Sequence, residues 1–268
     1  MEIFSTLIIE PMLNSLLWIY SGLAENFGLA IIAFTILVRL ITYPLTASQM
    51  KSTQGMQEMQ KSKKWQDIQK KYKDDREKLA QEQMKLYREM GVSPFGSCLP
   101  MLIQFPIWIG LYRGIILALA VTPAQMLELT RHLYMQFNAA ILIPLDRFFL
   151  WMDLSQPEKD YGIPFPIDIA GLDFNIPILT ILVVGTSFLQ SKMMTPQSTG
   201  GEQAAQMNRS MTLMMPLFMG WITWSLASGM ALYFVTSNLV GIFQYGVTGK
   251  LNWRSLIPAR FIRTDPNE

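Results

Sequence analysis

Arg39 lies inside an apolar run, with Phe34, Ile36, Leu37 and Val38 before it and Leu40 and Ile41 after it. A guanidinium in such a setting is expensive in a bilayer, so by default it faces a water-filled cavity or marks a function. The chemistry open to it is attraction of an anionic group, with no bond made or broken. Thr35 stands four residues earlier, which puts both side chains on one face of a helix as a polar stripe. Gln104 is a second polar group in apolar surroundings, within Pro100-Met-Leu-Ile-Gln-Phe-Pro106. An amide left unsatisfied in lipid is heavily penalised. If the face bearing Thr35 and Arg39 and the face bearing Gln104 point the same way, they enclose a hydrated groove.

Each of these residues also has a plainer reading. Arg39 is only a turn or two from Pro44 and a polar loop, close enough to snorkel to the headgroups. Gln104 could bond a neighbouring helix or a carbonyl freed by a proline. Arg113 lies beyond Gln104 and is expected nearer the outer interface, as an anchor or as partner to an acidic loop residue. Covalent, metal and nucleotide chemistry have no such starting point. Cys98 is the single cysteine and has no histidine near it, and the one histidine, His132, reads as a surface or interface residue. There is no glycine-rich phosphate loop. No enzymatic reaction, catalytic residue, metal or cofactor is expected.

The elements that must hold these residues are membrane helices. Half of the 268 residues are hydrophobic, only 16% are charged and the mean hydropathy is +0.24, outside the usual soluble balance. The net charge of +2 is too small to suggest specific nucleic-acid recognition. A span needs about 20 mostly apolar residues. Five stretches qualify or come close, at 27–45, 98–119, 174–194, 211–226 and 230–247. With their flanks they give spans at 25–47, 94–121, 173–194, 210–227 and 228–249. Only Ala227, Ser228 and Gly229 separate the last two runs, which implies a tight antiparallel hairpin. Residues 1–24 lack the charged start and cleavage site of a secretory signal and are expected to be retained as an interfacial amphipathic helix, with a sixth crossing as the rival reading. Segment 122–172 connects spans two and three. Its stretch 138–152 is apolar but carries Asp146-Arg147, which suggests a helix lying on the surface.

Lysine and arginine placement orients the bundle. Eleven of the 22 positive residues, from Lys51 to Arg88, fall between spans one and two, so that loop is cytoplasmic. The 122–172 connection holds only Arg131, Arg147 and Lys159 against six acidic residues, with Asp173 directly after it, and belongs outside. Loop 195–209 and tail 250–268, flanked or marked by Lys192, Arg209, Lys250, Arg254, Arg260 and Arg263, belong inside. The N-terminus is then outside and the C-terminus cytoplasmic. Within 48–93, Trp65, Ile68 and Tyr72, and then Leu79, Leu86 and Met90, recur at helical spacing, with Asp74 and Asp75 offering an N-cap between them. This predicts a cytoplasmic helical hairpin with solvated outer faces.

The order of features resembles the YidC insertase family over roughly residues 26–249. The residues that carry the likeness are Arg39 with Tyr43-Pro44-Leu45, the charged hairpin, Pro94-Phe-Gly-Ser-Cys-Leu-Pro-Met-Leu-Ile-Gln-Phe-Pro106, Ser228-Gly229 with Leu232-Tyr233, and Ser237-Asn238-Leu239. The resemblance implies an all-α integral membrane protein whose five-span bundle encloses a hydrophilic groove, open to cytoplasm and lipid and closed outward. By the same resemblance the essential arginine is Arg39, with Thr35 one turn earlier and Gln104 as the groove glutamine. Tyr233, with Phe234 beside it, takes the aromatic position of the last span, and Trp221 or Trp224 lines the groove. The hairpin corresponds to mobile cytoplasmic helices used in client capture. Two departures are expected: neither a large folded outer domain nor a lipoprotein-type cysteine precedes the first span, and the 122–172 connection is longer than usual.

The function so implied is insertion and chaperoning of newly made membrane proteins in the bacterial inner or plasma membrane. The partners implied are nascent clients and membrane lipids, with the Sec translocon and the ribosome as further candidates, although the basic tail is short. Two other classes fit the residues alone. A small-anion transporter would use Arg39 and Gln104 as a midplane site, but the two halves show no internal repeat. A scaffold would use only its basic hairpin. The methionines and aromatics of the last two spans, among them Met211, Met214, Met215, Met219 and Met230, suit either adaptable contact with varied clients or packing against lipid.

Overall fold

The computed structural model describes residues 2–72, 75–91, 99–119, 122–134, 145–160, 163–164, 175–194 and 202–247. Part of the family-like motif around Cys98, Asp74, the loop after 194 and the basic tail lie outside these residues.

The chain begins with a helical turn at Glu2–Phe4 and a π-helical turn at Ser5–Ile9, then enters α1 (Glu10–Gly22). Pro11 sits in the first turn of α1, where a missing N–H costs nothing. Leu13, Leu16, Leu17 and Tyr20 form its buried face, while Ile3, Leu7 and Trp18 are exposed. Ala24 and Glu25 take left-handed φ values of 52° and 57° and reverse the chain into α2 (Phe27–Ile41), whose N-cap Asn26 accepts from the Leu29 N–H at 3.0 Å. Thr42 then breaks the helix. The next one, α3 (Tyr43–Lys61), carries Pro44 in its first turn, and its axis bends by 59° from α2. A proline cannot donate within a continuing helix, so the first predicted span divides here and the hairpin's first helix starts at Tyr43 rather than at 48.

α3 continues through an extended residue, Ser62, into α4 (Lys63–Lys71), and α5 (Arg76–Glu89) returns. Ser62 caps α4 through the Trp65 N–H, and Asp75 caps α5 through the Lys78 N–H at 3.1 Å, as its spacing suggested. Met59, Trp65 and Leu86 make a small core of their own, separate from that of the bundle, with Trp65 edge-on to Tyr87 at 6.0 Å. Met90, expected on the inner stripe, is exposed. Trp65→Ala will empty about half of this core, at a cost of about 3–5 kcal/mol borne by the hairpin alone. Trypsin should cut the hairpin lysines faster while the bundle stays resistant; equal resistance of both would show that the hairpin does not depend on this core.

α6 (Leu99–Ala118) contains Pro106, and α7 (Pro123–His132) opens with a capping box between Thr122 and Gln125. His132 meets the N-terminal segment, with Nε2 3.1 Å from Ser5 Oγ, and Asn14 of α1 bonds the His132 carbonyl and the Tyr134 N–H. The expected surface helix over 138–152 is corrected where it is described. Phe148–Phe149 (β1) pairs antiparallel with Met152–Asp153 (β2), and Leu150 at the tip has φ 56°. The Asp146-Arg147 pair that suggested a surface helix instead closes a β-hairpin, since Arg147 reaches Asp153 across the strands at 3.4 Å. A second pair joins Ile163–Pro164 (β3) to Asn175–Ile176 (β4), so the chain is mostly rather than wholly helical.

Three helices follow: α8 (Ile178–Met194), α9 (Glu202–Ser225) and α10 (Ser228–Val247). The turn between α9 and α10 is as short as expected, but α8 packs against both of them and they touch each other little. α10 also packs along α2, and α1 lies against α2 and α6. The shared core gathers Leu13, Phe27, Ile31, Leu111, Ile115 and Met230. α9 turns Met214, Leu217, Phe218 and Trp221 to the exterior, which suits lipid-facing packing. Among the described residues α10 alone is long and apolar enough to cross a membrane by itself. α2 passes the same test only together with α3, and α8 is apolar but shorter.

Candidate functional site

Arg39, in the last turn of α2, points at α10. Its Nε donates to Ser237 Oγ at 2.9 Å and its Nη2 to the same oxygen at 2.6 Å. Its backbone carbonyl accepts from Gln244 Nε2 at 3.3 Å. Gly241 lies between those two positions of α10 and makes the close approach possible. A Cβ there would stand 2.7 Å from Gln190 Nε2 of α8 and 3.8 Å from Arg39 Nη1. The guanidinium is half-buried, and the ion pairs among the described residues do not include it. A cation held by one neutral hydroxyl in a largely apolar bundle keeps its field uncompensated, which favours an incoming anion.

One turn above Ser237, Tyr233 is buried and accepts a hydrogen bond from Gln104 Nε2 at 2.8 Å, linking α6 to α10. The Tyr233 hydroxyl lies on the same side of α10 as Ser237, one turn away. Gln104 with Tyr233 and Arg39 with Ser237 therefore follow one another as a polar chain of two bonded pairs across α6, α10 and α2. Phe234 packs at its edge against Trp108, ring centroids 4.7 Å apart.

The sequence-derived residues fare differently. Arg39, Gln104 and Tyr233 are brought together. Thr35 shares the face of Arg39 but is fully buried, and its hydroxyl donates to the Ile31 carbonyl of its own helix at 2.6 Å, leaving the polar chain without it. Trp221 is 68% exposed beside Phe218, on the outer face of α9, whereas Trp224 is half-buried. Arg113 is exposed, as an interfacial anchor would be. Sequence reading quoted Ser237 and Asn238 only as part of a family motif and gave no role to Gln244 or Gln190; Asn238 donates to Thr186 Oγ1 and Ser187 Oγ of α8 at 3.1 and 2.8 Å. A signal for two of them was available: Tyr233, Ser237 and Gln244 recur at i, i+4 and i+11 on one face of an apolar helix.

The Gln104–Tyr233 bond makes a separable prediction. Gln104→Leu and Tyr233→Phe should each lower stability in detergent by about 1 kcal/mol. The double variant should lose little more than either single one, because both remove the same bond. Fully additive melting shifts would mean that the two side chains act independently.

Known proteins resemble this chain over most of its length. The model of the 60Kd inner membrane protein family matches residues 18–253. A membrane protein insertase YidC of Syntrophobacter fumaroxidans is 36% identical over 241 residues, covering 89% of this chain and 37% of that protein. One of Oceanobacillus iheyensis is 34% identical over 253 residues, covering 90% of this chain and 82% of that protein. The chain thus spans little more than a third of the first relative's length and most of the second's. Among solved structures, an active YidC insertase with its first transmembrane domain resolved is similar with a TM-score of 0.53 at 26% identity, over 93% of this chain and 46% of that one.

Proposed function

Because this chain belongs to the 60Kd inner membrane protein family, the family of the YidC insertases, we propose that it is itself a membrane-protein insertase and chaperone rather than an enzyme. The observation that carries the reading is the half-buried Arg39 held on Ser237, with Gln104 and Tyr233 completing a polar chain through apolar helices. These groups lower the cost of bringing a client's short polar tail part-way into the membrane, while its apolar segment leaves sideways into lipid. An acidic tail gains further from the uncompensated guanidinium.

In this reading the bundle has five spans, α2, α6, α8, α9 and α10, with a groove among them. α1 lies at the outer interface, and the α3–α5 hairpin and the tail after 249 are cytoplasmic. Apolar runs and the eleven positive residues between spans one and two support that orientation. The hairpin captures clients. Its separate small core and limited contact with the bundle fit an element that moves as a unit. Clients and lipids are the partners, with the Sec translocon and the ribosome beside them.

Reconstitution tests the reading directly. Liposomes containing the purified chain should protect the translocated tail of a short-tailed, single-span client from added protease, and empty liposomes should not. Solute flux without client protection would point to a transporter instead.

A further inference from the structure

Gln244 reaches the main chain of Arg39, and the reason lies in where α2 stops. Pro44 has no N–H, and its ring crowds the carbonyl four residues earlier, that of Leu40, so α2 cannot run on into α3. The last helical bond of α2 joins the Thr42 N–H to the Val38 carbonyl at 2.9 Å. The Arg39 carbonyl is the next in line, in a final turn where a helix has no N–H of its own to offer. Thr42 gives it little, since the threonine hydroxyl lies 2.8 Å from the Val38 carbonyl and 3.5 Å from that of Arg39. The Gln244 side chain, only 8% exposed, donates to it from α10 at 3.3 Å. In apolar surroundings such a carbonyl is costly unless something donates to it.

Ser237 and Gln244 lie two turns apart on one face of α10, with Gly241 between them. They are about 10 Å apart along the axis. They hold Arg39 at different points, Ser237 by Nε and Nη2 and Gln244 by the carbonyl. Two anchors on one helix fix both where the arginine backbone lies and in which direction its side chain leaves, whereas one alone leaves a pivot. α10 is itself set against α8, through Asn238 on Thr186 and Ser187 and through the close approach of Gln190 to Gly241. The bonded carbonyl also stands just before the 59° bend between α2 and α3, so the end of α2 is held where the chain turns into the hairpin. We propose that Gln244 is a positioning residue for the insertion step, which takes the carbonyl freed at the end of α2 and so aims the Arg39 guanidinium at a client's acidic tail. This rests on the insertase reading and on the role given there to Arg39.

The test uses the full chain in reconstituted vesicles and two single-span clients that differ only in tail charge, one acidic and one neutralised. Gln244→Met keeps the length of the side chain and removes its donor. Protease protection of the acidic-tailed client should fall by about threefold to tenfold, the range expected from one such bond. Protection of the neutral-tailed client should change by less than about twofold. The same substitution in an Arg39→Ala chain should change acidic-tailed insertion by less than about twofold, because no guanidinium is left to aim. Gln244→Asn keeps an amide one methylene short and should give the same selective loss in smaller degree. It decides by the same comparison if the methionine chain lacks a cooperative melt in detergent. Parallel loss for both clients overturns the proposal, since that reports a loosened scaffold. An unchanged acidic-tailed client also overturns it, as does a full further loss in the Arg39→Ala chain, where Gln244 would be acting through something other than the arginine. Those three outcomes leave the insertase reading standing. A wild-type chain that protects neither client overturns that reading, and the positioning role with it.

Discussion

Arg39→Ala will lower insertion of a client with an acidic tail by about tenfold to a hundredfold, and will change insertion of the same client with a neutralised tail by less than about threefold. The size follows if Arg39 offsets roughly half to four-fifths of the cost of an ionised group at the membrane centre, about 2.5–3.5 kcal/mol on the insertion scale, each 1.4 kcal/mol being a factor of about ten. No ion pair among the described residues cancels the guanidinium, so its charge is available to the tail. Arg39→Lys should fall between wild type and alanine. Lysine keeps the charge, but its compact ammonium does not reproduce the two-pronged grip of Nε and Nη2 on Ser237. Protease protection of the two clients in reconstituted vesicles decides the matter. Equal loss for acidic and neutral tails would remove the electrostatic role and leave Arg39 as a structural tie.

The second large effect concerns folding instead. Phe27 is fully buried at the start of α2, edge-on to Tyr20 of α1 with centroids 5.9 Å apart. Phe27→Ala leaves a cavity where α1, the reversal at Ala24 and Glu25, and α2 meet, and should cost about 3–5 kcal/mol. The melting temperature in detergent should fall accordingly, with insertion of both clients reduced in parallel. Arg39→Ala should shift the melting temperature much less. The two variants thus separate loss of a site from loss of a scaffold, and a Phe27→Ala protein melting like wild type would show that this junction collapses to fill the space.

Of the fold, the parts governed by neighbouring residues were legible. Asp75 marks the start of α5 and the Trp65 and Leu86 stripes mark the hairpin core, because capping and helical spacing act within a few residues, whereas the span expected over 25–47 runs through Pro44, where the helix divides. The stretch 138–152 misled because apolar content with a central charge pair suits either a surface helix or a β-hairpin. What distinguishes them is Phe149 finding its seat at Gly28 and Leu150 tolerating a left-handed φ, and neither is written in local spacing.

The site divides in the same way. From sequence alone come the arginine and the glutamine set in apolar runs, the apolar helices around them and the family they resemble, since polar groups inside apolar runs are conspicuous at any level of description. Which of these meet was decided only in three dimensions. Arg39 and Ser237 are 198 residues apart and Gln104 and Tyr233 are 129 apart, and their pairing depends on how α2, α6 and α10 rotate against one another. The same packing turned Thr35 back onto its own helix and Trp221 outward. A hydrogen-bonding side chain has several partners within reach of its spacing, and the close packing of helices selects one of them.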